Sequence, residues 1–254
     1  MAAPLEQHQV EIERNRLSWE KKPTLRKVYG EFYKRIVGQI DGTLHGPVVE
    51  LGSGIGNLKK YYPSAITTDL FPNPWLDQIC DAYEMPFESN TVSHLVLFDV
   101  FHHLSAPAAF LEEARRVLIP NGRIILFEPY ISPFTYPVYG LGHHEPIAMR
   151  GKINALKKAP FPRDYYAAQG NATRIFFSPN HSEIYSGWNV LFKEAFSSLP
   201  YLLSGGYSKP CLFPSVFYEP LERVDKVFSL FPRVFGARCI VTLTPEGGAD
   251  LAAP

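Results

Sequence analysis

The stretch Val48-Val49-Glu50-Leu51-Gly52-Ser53-Gly54-Ile55-Gly56-Asn57 constrains the fold more than any other part of the chain. Val48 to Leu51 is a short, mostly apolar run, and it reads as a strand of a parallel sheet, covered on both faces. It feeds directly into glycines at positions 52, 54 and 56, with Ser53 between the first two. Glycine lets the main chain turn sharply and lets a ligand approach it where a Cβ would stand in the way. A strand running into such a turn opens the nucleotide-type sites of doubly wound α/β sheets. The bland alternative is a strand-to-loop turn with no ligand, and the residues downstream decide between the two.

Upstream, residues 5 to 20 are polar and charged and suggest a loosely held helix. Lys22-Pro23-Thr24 interrupts it, with Thr24 as a cap for the next helix. Val28, Tyr29, Phe32, Ile36, Val37 and Ile40 then form a helical stripe. After the glycine turn come a short helix at Leu58 to Tyr62 and a second strand, Ala65 to Asp69, with its acid at the carboxyl end. Ile79 to Ala82 and Val92 to Phe98 read as the third and fourth strands, Ala106 to Leu118 as a helix, and Arg123 to Glu128 as the fifth strand. Strand alternating with helix in this way argues for right-handed parallel crossovers. Beyond Glu128 the rhythm breaks into a stretch rich in Pro, Tyr, Phe, Gly and His. His181 to Leu199 reads as a helix, Tyr201 to Leu203 as a strand, Leu221 to Leu230 as an apolar helical stripe, and Arg238 to Leu243 as a closing strand.

Composition excludes several classes. Acidic and basic side chains balance at 25 each, so no global field attracts nucleic acid. Cys80, Cys211 and Cys239 show neither metal-ligand spacing nor a disulfide framework, which fits a reducing, cytoplasmic setting. No apolar run is long enough to span a membrane, although peripheral contact stays open.

The glycine spacing is Gly-x-Gly-x-Gly, without the longer interval of dinucleotide binders or a P-loop lysine, so the ligand need carry no pyrophosphate. Asp69 lies 17 residues after Gly52, at a strand end where a carboxylate can accept both hydroxyls of a ribose. Asp81 ends the third strand beside the same crevice and can accept from an exocyclic amine. The bland reading of both is a solvated strand-end acid.

The run Glu50-Leu51-Gly52-Ser53-Gly54-x-Gly56, then Asp69, then Asp81-Ala82-x-x-Met85-Pro86-Phe87, resembles the class I S-adenosylmethionine-dependent methyltransferases. Asp99-Val100-Phe101-His102-His103-Leu104 and Arg116-Val117-Leu118-x-Pro120-x-Gly122-Arg123 are similar to blocks of the branch with the ubiquinone and menaquinone C-methyltransferases. The resemblance covers residues 47 to 128. It implies S-adenosylmethionine as cofactor and S-adenosylhomocysteine as product. Gly52, Ser53, Gly54 and Gly56 would cradle the methionine part, Glu50 would orient the loop and the amino group, and Asp69 with Leu70 would hold the ribose side. Asp81 and Ala82 would hold the adenine, while Phe98 and Asp99 would line the sulfonium side. The chain departs from the branch at Val92-Ser93-His94, where Phe-Asp is usual.

Displacement at a sulfonium needs mainly an aligned acceptor, worth ~7–11 kcal/mol, with a general base adding ~10²–10⁴-fold where the acceptor is a hydroxyl or acidic carbon. No metal is required. Candidates for the base are His102, which follows the fourth strand, and His143 or His144 of His143-His144-Glu145-Pro146, paired with Glu145. Neighbours on an extended segment point to opposite sides, so one of that pair would face the site. Tyr130, Phe134, Tyr136, Tyr139, Tyr165, Tyr166, Phe176 and Phe177 would line an acceptor pocket or form the core of a small cap, and Asn171-Ala172-Thr173-Arg174 would touch the substrate.

The expectation is an α/β, doubly wound, Rossmann-like and mostly parallel sheet of about seven strands. Its divisions would be an N-terminal helical cover (1–46), a cofactor-binding core (47–128 with 221–244), a substrate cap (129–220) and a disordered tail (245–254). The expected function is methyl transfer from S-adenosylmethionine to a small-molecule acceptor, sugar-like, lipid-linked or a natural product. Rival readings are a fold using the same cofactor for a non-methylating reaction, and a non-enzymatic binding protein with a vestigial site.

Overall fold

The computed structural model describes residues 2–142, 145–156 and 166–247. Seven strands form one sheet in the order β3-β2-β1-β4-β5-β7-β6. They are β1 (Val48–Leu51), β2 (Ile66–Asp69), β3 (Gln78–Ile79), β4 (Val92–Phe98), β5 (Leu118–Pro129), β6 (Trp188–Phe196) and β7 (Arg238–Pro245). The first five are parallel, and β7 lies antiparallel between β5 and β6. The helices are α1 (Ala2–Lys21), α2 (Pro23–Val37), α3 (Pro107–Val117), α4 (Thr135–Gly142), α5 (Asn171–Phe176), α6 (Leu199–Ser204), α7 (Tyr218–Phe228) and α8 (Pro232–Phe235).

Alternation along the central strands divides the core in two. Leu95, Leu97, Ile124 and Leu126 face one cluster, which α3 and α5 complete with Phe110, Leu111, Ile175 and Phe176. Val96, Phe98, Ile125 and Phe127 face the other, which α2 covers with Leu25, Tyr29, Phe32, Tyr33 and Ile36. Burying each such side chain contributes about 1.5–3 kcal/mol. Sheet order reverses direction between β1 and β4, and the crevice outside the strand ends at such a switch is where ligands bind. Leu51 is in register with both Thr68 and Leu97, so Gly52, Asp69 and Asp99 share that edge.

Several local expectations change. The predicted helix at 181–199 is a 3₁₀ turn, Pro179–Tyr185, followed by the edge strand β6. Gly187, at φ +79°, ends the helical path, and pairing with β7 claims the next backbone groups. Its apolar residues have helical spacing, yet Leu191 and Phe192 stay partly exposed on the sheet edge. The core sheet thus takes a strand from within the stretch expected to form a cap. The predicted strand at 201–203 is α6, started by Pro200 in its first turn and closed by Gly205 at φ +70°. Thr24 does not cap α2; Lys22 holds that position and Pro23 starts the helix. The expected apolar stripe of α7 is mostly uncovered, with only Tyr218 of that helix buried.

Candidate active site

The glycine turn is lashed to β2. The Ser53 N–H donates to the Thr68 carbonyl at 2.8 Å, and Ser53 Oγ donates to the Glu50 carbonyl at 3.1 Å while accepting from the Thr68 N–H at 2.9 Å. Gly52 has φ +68°, and a Cβ there would sit 2.4 Å from Val100 Cγ2. Only glycine meets both conditions. The Gly54 N–H donates to Asp69 Oδ2 at 3.1 Å, and the Leu70 N–H donates to Asp69 Oδ1 at 2.8 Å. Asp69 therefore shapes the turn from which a ligand would be held, and its oxygens keep lone pairs for further donors. Burial raises its pKa, with His8 of α1 opposing the shift.

Glu50 is buried, and its Oε2 has no hydrogen-bond partner among the described residues. Burial pushes its carboxyl up to about 8, with the Asp69 charge adding to the shift and the Ser53 hydrogen bond opposing it. An unpartnered carboxyl oxygen inside a folded chain is costly unless something arrives to pair it. Asp81 Oδ1 accepts from the Tyr83 N–H at 2.9 Å and closes a tight turn beside Ala82. Leu70 stands half-exposed at the rim.

Across the switch point the construction differs. Asp99 adopts φ +57°, and its Oδ1 accepts from Arg238 Nη2 at 2.5 Å. Arg238 is 1% exposed and is surrounded by the rings of Phe127, Tyr201, Phe32 and Phe98, with centroids 4.9 to 5.6 Å away. Burial raises the Asp99 pKa, with Arg238 opposing. Glu128, fully buried, accepts from the Val100 and Phe101 N–H groups at 2.9 and 2.7 Å through Oε1. Its Oε2 lies 2.6 Å from His102 Nδ1. His102 Nε2 is 3.4 Å from Glu145. Burial works against a charge on His102, and the Glu128 and Glu145 carboxylates more than offset it, so its pKa rises to about 10.

A cavity of about 540 Å³ opens here, with Asp99, His102, Tyr139, Glu145, Tyr201 and Arg238 among its walls. Asn15 of α1 and Tyr207 close its other side. Of the aromatic residues expected to line it, Tyr139 does so, and its hydroxyl donates to the Ala237 carbonyl at 2.9 Å. Tyr130 and Phe176 instead belong to the core, and Tyr136 is exposed. Asn171 to Arg174 serve the fold: Thr173 Oγ1 accepts from the Ile131 N–H, and Arg174 donates to the carbonyls of Ala148 and Gly151. Phe98 stacks on Tyr29 in the core under α2, with centroids 5.3 Å apart, while Asp99 faces the cavity. His143, His144 and Tyr165 lie outside the described residues. Arg238, Glu128 and Tyr201 were not among the expected site residues. The available signal was a charged residue at one end of each apolar segment, Arg238 before Cys239-Ile240-Val241 and Glu128 after Ile124 to Phe127.

Residues 49–126 match the family described as methyltransferase domain. No curated protein matches the chain. Among solved structures, a chain of the complex between the Haloferax volcanii Trm112 methyltransferase activator and a methyltransferase is similar at 15% identity and TM-score 0.53, covering 95% of this chain and 96% of that one. An S-adenosylmethionine-dependent methyltransferase from Thermotoga maritima is similar at 13% identity and TM-score 0.53, covering 97% and 100%. The geranyl diphosphate C-methyltransferase of Streptomyces coelicolor, solved with Mg²⁺, geranyl diphosphate and S-adenosyl-L-homocysteine, is similar at 10% identity and TM-score 0.51, covering 87% and 80%. At these identities the likeness to the solved structures is one of fold.

Residues 49–126 form a methyltransferase domain, set within a seven-stranded sheet of the fold shared by S-adenosylmethionine-dependent methyltransferases. The chain is an enzyme, and S-adenosylmethionine is its cofactor. The site fits that molecule on its own terms: a partnerless buried carboxyl oxygen at Glu50 suits an ammonium group, and glycines bare the main chain beside it. No described helix is long and apolar enough to cross a membrane.

Proposed function

We propose that the acceptor is a small organic molecule held in the cavity beside Asp99, and that the cofactor lies along the edge formed by Gly52, Asp69 and Asp81. The observation that supports this most is the size and place of the cavity. About 540 Å³ is within the range of small-molecule sites, ~300–1,000 Å³, and it adjoins the loop that packs on Gly52. When bound, S-adenosylmethionine supplies an activated methyl group on a good leaving group.

The remaining work falls to the chain. Glu50 pairs with the amino group, the main chain of Gly52, Ser53, Gly54 and Gly56 holds the amino-acid end, and Asp69 with Leu70 holds the ribose side. Asp81 and Ala82 hold the adenine. Asp99, fixed by Arg238, and the tyrosines of the cavity exclude water and align the acceptor, an effect worth ~7–11 kcal/mol when the fit is good. Phe98 supports Asp99 from below. Both ring nitrogens of His102 face carboxylate oxygens, so it positions Glu128 and Glu145 and is not placed as a base.

Calorimetric titration with S-adenosylmethionine tests the reading. Asp69→Ala removes an acceptor of charge-assisted bonds worth ~1.5–3 kcal/mol each, so affinity should fall roughly 10- to 100-fold. Wild-type chain that fails to bind at high micromolar concentration, or an Asp69→Ala variant that binds equally well, would overturn it. Incubating an acceptor panel with labelled methyl donor, and detecting both methylated product and S-adenosylhomocysteine, separates methylation from a non-methylating use of the cofactor.

A further inference from the structure

His102, His103 and Glu145 meet at the cavity wall in an arrangement that methyl transfer alone does not call on. The tight 3₁₀ turn Phe101–His103 brings the two consecutive imidazoles to centroids 4.2 Å apart. His102 Nε2 lies 3.4 Å from one Glu145 oxygen, and His103 Nε2 lies 3.5 Å from the other. Good N–H···O bonds run ~2.7–3.2 Å, so both contacts are long for hydrogen bonds. They suit a different geometry. Donor atoms bound at ~2.0–2.1 Å to one tetrahedral divalent ion stand about 3.3–3.4 Å apart.

The far side of each ring points the same way. His102 Nδ1 is held at 2.6 Å by Glu128 Oε2, and His103 Nδ1 at 3.0 Å by the Tyr166 carbonyl. A carbonyl only accepts, so His103 carries a proton on Nδ1. A neutral imidazole held like this turns its Nε2 lone pair inward, and a carboxylate or carbonyl behind the ring is the usual support of a metal-binding histidine. At His102 a bound ion would take the place of the second ring proton that Glu128 and Glu145 otherwise hold, and at His103 it would meet the Nε2 lone pair directly. Charge agrees with geometry. Asp99 and Glu128 crowd His102 on one side and Glu145 lies on the other, so carboxylates surround the place where a divalent ion would sit.

We propose that His102 Nε2, His103 Nε2 and the Glu145 carboxylate bind one divalent transition-metal ion, with Glu128 and the Tyr166 carbonyl as its outer supports. Two imidazoles and a carboxylate favour Zn²⁺, Co²⁺, Fe²⁺ or Mn²⁺ over the all-oxygen preference of Ca²⁺ and Mg²⁺. His102, His103 and Glu145 all line the cavity, so the ion's remaining positions open onto the acceptor space. An acceptor oxygen or nitrogen bound there is both positioned and polarised. That last role rests on the proposed methyl transfer, whereas the ion site stands without it.

The test uses the full, tag-free chain, stripped with chelator and titrated with Co²⁺ and with Zn²⁺. Calorimetry and mass spectrometry of metal content give stoichiometry, and Co²⁺ absorption in the visible reports nitrogen ligation. About one ion per chain is expected, held through protein ligands in the folded state. His103→Ala and Glu145→Gln should each weaken binding by more than the ~10–100-fold expected of the outer-support variant Glu128→Gln. Circular dichroism checks each fold, and His103, a third exposed at its side chain, is the least disruptive of these positions. A wild-type chain that retains less than a tenth of an equivalent, or a folded His103→Ala chain with wild-type affinity, overturns the proposal. Titrating S-adenosylmethionine into the metal-free chain keeps the two readings apart: failure there strikes the methyl-transfer reading, and failure to hold metal strikes the ion site.

Discussion

The two halves of the site are built by different means. The β1–β2 half is made of neighbours: Glu50 to Gly56 and Asp69 are joined largely through main-chain groups and the short side chains of Ser53 and Asp69. The cavity half is made of distant pairs. Asp99 meets Arg238 across 139 residues of sequence, and His102 meets Glu128 across 26. In the proposed reading, a cofactor common to many enzymes would be met by backbone geometry that the sheet itself supplies. In the same reading, an acceptor particular to one enzyme would be met by charges and rings that only tertiary packing brings together. The first design tolerates change in surrounding side chains, and the second concentrates its risk in a few buried partners.

Arg238 is where that risk is largest. Arg238→Ala removes the cation from beside Asp99 and empties a space lined by four aromatic rings. Breaking a fully buried ion pair from one side costs ~3–5 kcal/mol. With the Asp99 side chain 30% exposed, the loss should lie toward the lower end of that range, and the urea midpoint should still fall clearly. Arg238→Met, which keeps volume but not charge, together with Asp99→Asn should recover much of the loss, because the penalty comes from the stranded carboxylate. A loss below ~1 kcal/mol for the alanine variant would place Arg238 among the weak surface pairs and dissolve the contrast between the halves.

Gly52→Ala is the matching break in the other half. Holding a non-glycine residue at φ +68° costs ~1–2 kcal/mol, and the new Cβ also meets Val100 Cγ2 at 2.4 Å. Cofactor affinity should fall more than tenfold as the turn shifts, with a smaller drop in stability than Arg238→Ala gives. Adding Val100→Ala removes the contact but not the backbone cost. Recovery of full affinity in that double variant would show that sterics, not main-chain conformation, fix the turn.

The same contrast explains what could be read in the sequence. The parallel strands were legible because short runs covered on both faces end in Gly52, Asp69 and Asp99, and such runs bounded by glycine or aspartate are visible locally. Residues 181–199 were not, since Ile184, Trp188, Leu191 and Phe192 have helical spacing while Gly187 and the β7 ladder impose a strand. Asp69's place beside the glycine turn could be expected from its distance to Gly52 along the chain, and the Gly54 N–H does donate to it. Nothing local ties Arg238 to Asp99, and neither composition nor spacing predicts the buried ring shell that makes their pairing matter. The adjacent histidines at 102 and 103 were visible as a motif, but their common orientation toward Glu145 is a tertiary fact.

Glu50 sharpens the comparison through pH. Its carboxyl titrates near 8 in the cofactor-free fold against 4.5 ordinarily, so the folded chain holds a proton that the unfolded chain has released. This group's contribution to stability is therefore full at low pH and is lost as pH rises from about 4.5 to about 8. Binding runs the other way. An ammonium group favours the Glu50 carboxylate, so S-adenosylmethionine binding should release a proton and tighten by up to ~10-fold per pH unit between pH 6 and 7.5. Calorimetry in buffers of different ionisation enthalpy reads that proton directly. Glu50→Gln should abolish both the release and the slope, and an unchanged slope would remove Glu50 from the cofactor half.

The smallest expected effect is at the joint between the halves. Ser18 Oγ of α1 donates to the Tyr207 carbonyl at 2.6 Å, Lys22 Nζ donates to the Gly206 carbonyl at 2.8 Å, and Trp19 stacks on Tyr207 with centroids 6.5 Å apart. These contacts tie the helix over the glycine turn to the 205–210 loop that walls the cavity. Ser18→Ala removes one neutral hydrogen bond, worth ~0.5–1.5 kcal/mol, in a place the global unfolding transition hardly samples. Hydrogen exchange should quicken in both α1 and the 205–210 loop, while Asp69 and the β1–β2 turn keep their protection. Exchange that quickens in only one of the two segments would mean that each half closes by itself, and that the cofactor and acceptor sites are covered independently.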